Sequence, residues 1–482
     1  MNLLDRLDDF LVGNVSFPLT NYTMNRKGVV RHYDELRTSE WFPQEKLQEM
    51  QLRRFRGLVE YARKYCPFYA ARFKEAGLVS ADIKKLEDIQ KIPPLTRKDV
   101  MDHGWEMLDN RYWASVPFAD QSTRGPGQPA SFAKFRKHKL VKNTSSGSTG
   151  APVTFYEDGC VTARNWALEL RLKSWFGLKP GAREARLVRV STDYLPNSKM
   201  LLARKRLWHQ LILPGVNLTD PDFALSVEKI KEFRPRILWG FTSALTGLAD
   251  YINRANPNMT PWRPELVISW AAPLYEHERA RLSSVFQCPQ TNIYGSREVG
   301  HIAFFCPNGS LHINQEDLLV ESERNHAKGA PDRTGEILVT ALDTSPMPFI
   351  RYRMGDIGEV APANCACGRS LLVIKDFLGR TGEVFFTKDG RMLSPNFWMR
   401  TFMIGQQSQT IERWQVVYRK DRSIHLRIIP RSNFSPETEA DLRRHLDKNL
   451  GSATTVTFEY VPKIERHISG KEMLILNEST QA

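Results

Sequence analysis

Eight consecutive residues, Asn143-Thr144-Ser145-Ser146-Gly147-Ser148-Thr149-Gly150, interleave hydroxyls with glycines. Such a run suits a polyphosphate, because glycines let backbone N–H groups approach the oxygens and Ser and Thr add donors. It lacks the Gly-Lys-Ser/Thr ending of a Walker A loop. Taken alone, a Ser/Gly/Thr run is more often a flexible linker. The apolar alternation of PVTFYEDG directly after it favours an ordered loop between strands. A second group of residues could hold a metal. Cys306 is followed six positions on by His312, and Cys365 and Cys367 stand in NCACGR. Three thiolates and one imidazole form a ligand set suited to tetrahedral zinc, and the turn-rich stretches PNGS and ANCACG could wrap around it. Unpaired cysteines beside a buried histidine fit the same spacing, which is less diagnostic than paired Cys-x-x-Cys knuckles.

These residues need a scaffold, and the patterning supplies one. Residues 43–77 read as helix, with Leu52, Phe55, Val59 and Ala62 on one face and arginines and Glu60 on the other. Residues 78–140 mix short helices and loops, including KIPPLTRKDV and the Gly/Pro/Ser stretch STRGPGQPAS. From 141 to 375 short apolar runs such as RILWGF, ELVISW and GEILVT alternate with helical segments such as EHERARLSSVF, the pattern of layered α/β structure. After about residue 379 the character changes. WQVVYRKDRSIHLRII predicts two strands around Lys420-Asp421-Arg422, with Ile424, Leu426 and Ile428 on one face. A helix follows with Ser435 as N-cap, Pro436 first and Gly451 past its end, and TTVTFEYV is a further strand. The expected fold is therefore α/β: a large N-terminal domain over 1–378 and a small α+β domain over 379–482.

Composition removes several classes. The 482 residues are 41% hydrophobic and 25% charged, enough apolar material for a sizeable core and too ordered a mixture for collagen, coiled coil or disorder. No apolar run approaches the ~20 residues of a membrane span, and MNLLDRLDDF carries acids where a secretory signal is basic. The expected location is cytoplasmic. Six cysteines make no disulfide framework; Cys66, Cys160 and Cys288 read as small core residues. The net charge of +14 is dispersed, densest at Arg53, Arg54 and Arg56 and at Arg204, Lys205 and Arg206. No zinc-finger, RNA-recognition or helix-turn-helix pattern points to nucleic acid, and phosphorylated small molecules fit this charge as well.

Three further segments follow the Ser145–Gly150 loop in order: Tyr294-Gly295-Ser296-Arg297-Glu298-Val299-Gly300, Tyr352-Arg353-Met354-Gly355-Asp356, and Gly379-Arg380 closing with Gly470-Lys471. Together the motifs resemble the adenylate-forming acyl-CoA synthetase superfamily. Within it, IPPLTRKDV, WGFTSALTGLADYI, the Cys306/His312 pair and CACGR make the chain similar to the phenylacetate–CoA ligase family, in its capsule and polysaccharide-cluster branch. The resemblance implies that Ser145, Ser146, Gly147, Ser148, Thr149 and Gly150 hold the ATP phosphates, and that Glu298 ligates Mg²⁺. Tyr294, in Tyr294-Gly295-Ser296, would lie against the adenine, bordered by the Ala271-Ala272-Pro273 backbone. Asp356 would accept hydrogen bonds from the ribose hydroxyls and Arg380 would sit near ribose and phosphates. Lys471, on the small domain, would counter charge in the adenylation transition state. In this branch Cys306, His312, Cys365 and Cys367 look like a structural zinc site.

The sequence also departs from the superfamily pattern. GAPVTFYED has no lysine after the phosphate loop, Arg297 stands where threonine or serine is commoner, and Gly382 takes the usual hinge position. Glycine permits the backbone rotation of a two-step enzyme but lacks a side chain to steady either state. The implied activity is ATP-dependent activation of an aryl or other small carboxylic acid through an acyl-adenylate, then transfer to coenzyme A. A homodimer is compatible with it. Two other readings keep the nucleotide site: an adenylyltransferase or acyl transfer to an amine, sugar or carrier protein, and a non-catalytic nucleotide-binding scaffold. Trp270, Phe241, Phe304 and Phe349 are candidates for an apolar acyl pocket, and equally for the core. His301 fits either that pocket or a satisfied structural histidine.

Overall fold

Alternate residues of the central strands face two different cores. Ile237 and Trp239 of β5 (Ile237–Phe241), with Leu266 and Ile268 of β6 (Leu266–Trp270), pack into one apolar cluster, while Leu238 and Val267 between them pack into another. Such strands are apolar at every position because helices cover both faces of the sheet, as parallel sheets require. The first face is covered by the helices Val29–Ser39 and Gly159–Trp175, the second by Asp220–Phe233, Thr242–Ala255 and Glu276–Phe286. Trp239 is 2% exposed and is among the largest side chains in this interior.

The computed structural model describes residues 3–19, 28–115, 140–145, 153–189, 203, 205–255, 262–323, 334–380, 384–387, 392–393, 395–403, 410–451, 453–464 and 474–478. The chain divides into two compact units, one of Met1–Val320, Val339–Tyr352 and Ala361–Val373, the other of Glu321–Leu338, Arg353–Val360 and Ile374–Ala482. In the first unit, β3 (Glu184–Val188), β4 (Gln210–Pro214), β5, β6 and β7 (Gln290–Ser296) are parallel in the order β4-β3-β5-β6-β7. Two antiparallel strands, β8 (Gly300–Phe305) and β9 (Leu311–Ile313), follow on β7. A separate hairpin pairs β1 (Val141–Thr144) with β2 (Thr154–Glu157). Strands β10 (Leu318–Glu323), β11 (Gly335–Ala341), β12 (Tyr352–Ala361) and β13 (Val373–Arg380) neighbour one another in that order.

The second unit holds the predicted terminal pattern. After a short pair, β14 (Phe385–Phe386) with β15 (Met392–Leu393), come β16 (Ile411–Tyr418), β17 (Ile424–Pro430), β18 (Val456–Tyr460) and β19 (Ile475–Asn477) in the order β18-β17-β16-β19. Ile424, Leu426 and Ile428 are all fully buried. The Ser435 side chain caps Pro436–Leu450 through the Thr438 N–H, and Gly451 ends that helix at φ 79°. Near the N-terminus the structure corrects one expectation. The helix read over 43–77 is two helices, Gln44–Tyr65 and Pro67–Glu75. Pro67 has no N–H to donate and forces Cys66 out of helical conformation, to φ −112° and ψ 104°. Among the described residues no helix is long and apolar enough to cross a membrane.

Candidate active site

The hydroxyl-rich run begins at the end of β1 in the β1–β2 hairpin. Thr144 pairs with Thr154, and the Ser145 N–H donates to the Val153 carbonyl at 2.9 Å. Ser145 Oγ is buried and accepts from Arg97 Nη1 at 3.2 Å and from the Val153 N–H at 3.4 Å. The remaining loop residues Ser146, Gly147, Ser148, Thr149 and Gly150 lie outside the described residues. At the hairpin's far end Glu157 pairs with Val141 and accepts from Asn143 Nδ2. Burial pushes the Glu157 carboxyl up to about 7, against the opposing Arg164 charge and with help from Asp343. The folded state therefore keeps a proton that the unfolded chain loses near its ordinary carboxyl value, and stability falls as pH rises through about 4.5 to 7. Thermal melts across that window are expected to show this decline, and Glu157→Gln to flatten it; identical pH profiles would refute the assignment.

The Tyr294–Gly300 motif forms the turn from β7 into β8. A bulge falls between Tyr294 and Gly295, Ser296 pairs with Gly300, and Ser296 Oγ accepts from the Val299 N–H at 3.3 Å. Two glycines are dictated by close approach. A Cβ on Gly295 would lie 2.4 Å from the Gly300 carbonyl, and one on Gly300, at φ +78°, 2.3 Å from Asn165 Oδ1. The turn aims Arg297 back at the hairpin, where Nη1 donates to the Thr144 carbonyl at 2.7 Å. The Glu298 side chain is 7% exposed. Arg97 Nη1 stands 4.0 Å from Glu298 Oε1, and the Tyr352 hydroxyl donates to the same oxygen at 3.5 Å. Burial and the Glu298 charge push that hydroxyl well above its ordinary range, so it stays a donor. Ser145 and Glu298, 153 positions apart, thus meet through Arg97.

Beyond the end of β6, Ala271, Ala272 and Pro273 are exposed backbone, with Ala271 in the left-handed region at φ 68°. Thr242 Oγ1 at 3.2 Å and Asn292 Nδ2 at 3.0 Å both donate to the Ala272 carbonyl, and Asn292 also reaches Ser269 Oγ at 2.8 Å. Those bonds hold the strained turn open. Phe241 and Trp270, at the ends of β5 and β6, stack with centroids 5.2 Å apart and planes 6° apart. Phe304 and Phe349 are instead core residues, packed on Trp175 and on Phe155 and Tyr352. His301 Nε2 stands 3.4 Å from the buried Glu169 carboxylate, which also pairs with Arg186 at 2.5 Å. That is a satisfied histidine.

In the second unit Asp356, on β12, stands 3.8 Å from Arg380 Nε at the end of β13. Each follows a glycine with positive φ, Gly355 at 70° and Gly379 at 97°. Asp356 is buried and Arg380 is exposed. Gly382 and Lys471 lie outside the described residues.

The cysteines and histidine converge. The ligand atoms of Cys306, His312, Cys365 and Cys367 all lie within 4.8 Å of one another, with Cys306 Sγ 3.6 Å from Cys365 Sγ and Cys367 Sγ 3.2 Å from His312 Nε2. Two tight turns present the thiols: the Gly309 N–H donates to the Cys306 carbonyl and the Gly368 N–H to the Cys365 carbonyl. His312 Nδ1 contacts the Leu371 carbonyl at 3.1 Å, so that nitrogen carries the proton and Nε2 faces the thiols with its lone pair. Burial, with the Arg369 and Arg171 charges, holds the imidazole below its ordinary value and hence neutral. Three thiols and a neutral imidazole at this spacing match a closed tetrahedral zinc set.

The architecture and these motifs have counterparts among known proteins. Residues 385–478 match the family model described as CapK C-terminal domain. The protein CapK of Staphylococcus aureus is 23% identical over 89% of each chain, and the phenylacetate–coenzyme A ligase of Thermus thermophilus is 26% identical over 72% of this chain and 74% of its own. The chain is a homologue of CapK and of the phenylacetate–coenzyme A ligases. Among solved structures, 2-hydroxyisobutyryl-CoA ligase in its postadenylation state superposes with a TM-score of 0.68 at 17% identity, covering 92% of both chains. The mixed α/β architecture is therefore that of the adenylate-forming CoA ligases, as the motifs implied.

Some residues that organise this candidate site carry no motif of their own. Arg97 belongs to a helix start, Thr96 and Asp99 forming a reciprocal capping box around it, and nothing local announces a second task. Thr242 and Asn292 look like ordinary polar residues at strand ends. Tyr352 opens the Tyr352–Asp356 motif, yet its contact to Glu298 crosses 54 positions.

Proposed function

We propose that this protein activates a carboxylic acid with ATP and then passes the acyl group to the thiol of coenzyme A. The observation that carries the reading is the meeting of the hydroxyl-loop base at Ser145 with the Glu298 carboxylate, through Arg97. A carboxylate oxygen attacks the α-phosphate, the bond to the β-phosphate breaks, and the electron pair leaves on pyrophosphate. A carboxylate is a weak nucleophile, so the protein's task is positioning and charge neutralisation, and no side-chain nucleophile is required.

In this reading the Ser145–Gly150 loop takes the phosphates, Tyr294-Gly295-Ser296 and Ala271-Ala272-Pro273 border the adenine, and Asp356 takes the ribose hydroxyls. Arg380 stands by the phosphates and Lys471 by the reacting carboxylate. Glu298 offers hard oxygens to Mg²⁺, which when bound neutralises phosphate charge. The functional division is 1–378 and 379–482, with rotation about Gly382 between the half-reactions. Cys306, His312, Cys365 and Cys367 hold a zinc ion whose role is structural. The Phe241–Trp270 stack makes one flat wall suited to a planar or apolar acid.

The test is pyrophosphate and AMP release from Mg-ATP across aryl, fatty and amino acids, each with and without coenzyme A. Acid-dependent pyrophosphate with coenzyme A-dependent thioester is the expected result. Activation unaffected by coenzyme A would overturn the acceptor, and silence across the panel with ATP still bound would overturn the activity.

A further inference from the structure

From Asn143 to Ala163 the chain contains no lysine or arginine. The Ser145–Gly150 run itself can therefore offer a polyphosphate hydroxyls and N–H groups but no positive charge, with Lys142 of β1 the basic residue that precedes it. A triphosphate that is about to shed pyrophosphate needs cations, and beside Mg²⁺ and Arg380 further positive charge must come from elsewhere in the chain. Among the described residues two guanidinium groups reach the start of this run. Arg297 is engaged with the Thr144 carbonyl at 2.7 Å. Arg97 touches the Ser145 hydroxyl at 3.2 Å and faces Glu298 at 4.0 Å.

The backbone that carries Arg97 is fixed on both sides. It is the first residue of the helix Arg97–Met107, whose start is fixed by Thr96 accepting from the Asp99 N–H at 3.1 Å and Asp99 accepting from the Thr96 N–H at 2.8 Å. Arg72 stands 3.8 Å behind Asp99. One residue earlier, the Leu95 N–H donates to the Arg351 carbonyl at 2.9 Å, and Leu95 bridges Tyr352 in parallel. The backbone that carries Arg97 is thus stitched to the strand whose Tyr352 hydroxyl donates to Glu298. At 4.0 Å the Arg97–Glu298 pair is an ion pair without a hydrogen bond. It balances the carboxylate's charge without occupying its lone pairs. The Ser145 contact is to a neutral hydroxyl, which an anionic phosphate oxygen outcompetes as an acceptor for a guanidinium.

We propose that Arg97 is a phosphate-binding residue: its guanidinium moves from Ser145 onto the β- and γ-phosphates of ATP and stays with the pyrophosphate as it leaves. This rests on the carboxylate-activation reading and deepens it by naming a further cation of the phosphate subsite. The proton balance is simple. The carboxylate oxygen bonds to the α-phosphorus, the bond from that phosphorus to the pyrophosphate oxygen breaks, and the electron pair departs on pyrophosphate; Arg97 transfers no proton in the step.

The discriminating readout is the difference between ATP and AMP, since AMP lacks the phosphates that Arg97 would touch. In calorimetric titrations of the full-length protein, Arg97→Gln should weaken Mg-ATP about 10- to 100-fold, the loss expected for charge-assisted bonds, and leave AMP affinity unchanged. Arg97→Lys, which keeps the charge, should recover part of that loss. A matching melting temperature for the variants establishes that they fold. Equal weakening of ATP and AMP would reduce Arg97 to a structural residue, and unchanged ATP affinity would overturn the proposal outright. A wild type that binds both nucleotides but releases no acid-dependent pyrophosphate would sink the activation reading alone, because the ATP–AMP comparison still decides Arg97.

Discussion

Lys471→Ala is expected to reduce carboxylate-dependent ATP–pyrophosphate exchange by about 10²–10³-fold, the scale of removing one preorganised charge from a transition state, while ATP binding stays mostly intact. The physical case starts from the attacking group. A carboxylate approaching the α-phosphate brings one anion toward another, and the charge is greatest on the reacting oxygens in the transition state. An ammonium placed there gains more in the transition state than in the ground state, so its loss should lower kcat and kcat/KM together. Glu298, Asp356 and Arg380 lie in or near segments that also have structural uses. Lys471 sits in HISGKEML near the chain's end, where an ordinary lysine would be solvated and dispensable. The measurement therefore separates the two cleanly: unchanged exchange in the alanine variant would end the assigned role.

Removal of the metal ligands should have the largest effect on stability. Elemental analysis of the wild type is expected to find about one zinc per chain, and Cys365→Ser/Cys367→Ser to lose it together with a substantial fall in melting temperature. The four ligands tie two segments 55 to 59 residues apart, and Cys306 and Leu371 are themselves part of the core cluster containing Trp175, Trp239 and Ile268. Binding free energy at such a site is folding free energy, because the unfolded chain has no preformed site. Without metal, three thiols and an imidazole would crowd within 4.8 Å at the edge of an apolar core, with Arg369 stacked 4.6 Å from Trp175 close by. A metal-free wild type with an unchanged melting temperature in the double variant would end the zinc proposal.

Local rules were readable along the chain. The alternation at Ile424, Leu426 and Ile428 placed β17, and Ser435, Pro436 and Gly451 bounded a helix to the residue, because alternation and capping act within a few positions. The apolar runs of β5 and β6, alternating with helical segments, announced layered α/β structure, and the structure shows both faces of those strands buried. The single long helix over 43–77 failed at Pro67, where the apolar period continues but the backbone cannot. Periodicity reports which face is apolar, and it is blind to a missing N–H.

The sequence by itself determined the terminal strand and helix pattern, the four motifs in order, and the ligand types that could hold a metal; each depends on neighbours in the chain. Tertiary structure alone decided which of these meet. Order in the sheet placed Cys306 and His312 against Cys365 and Cys367, sent Phe304 and Phe349 into the core, and left Phe241 and Trp270 stacked at the strand ends. It also gave Arg97, marked in sequence only as a helix start, a position between Ser145 and Glu298. Contacts across 48 to 201 positions are set by how strands are ordered and which faces they bury, and no local pattern encodes that distance.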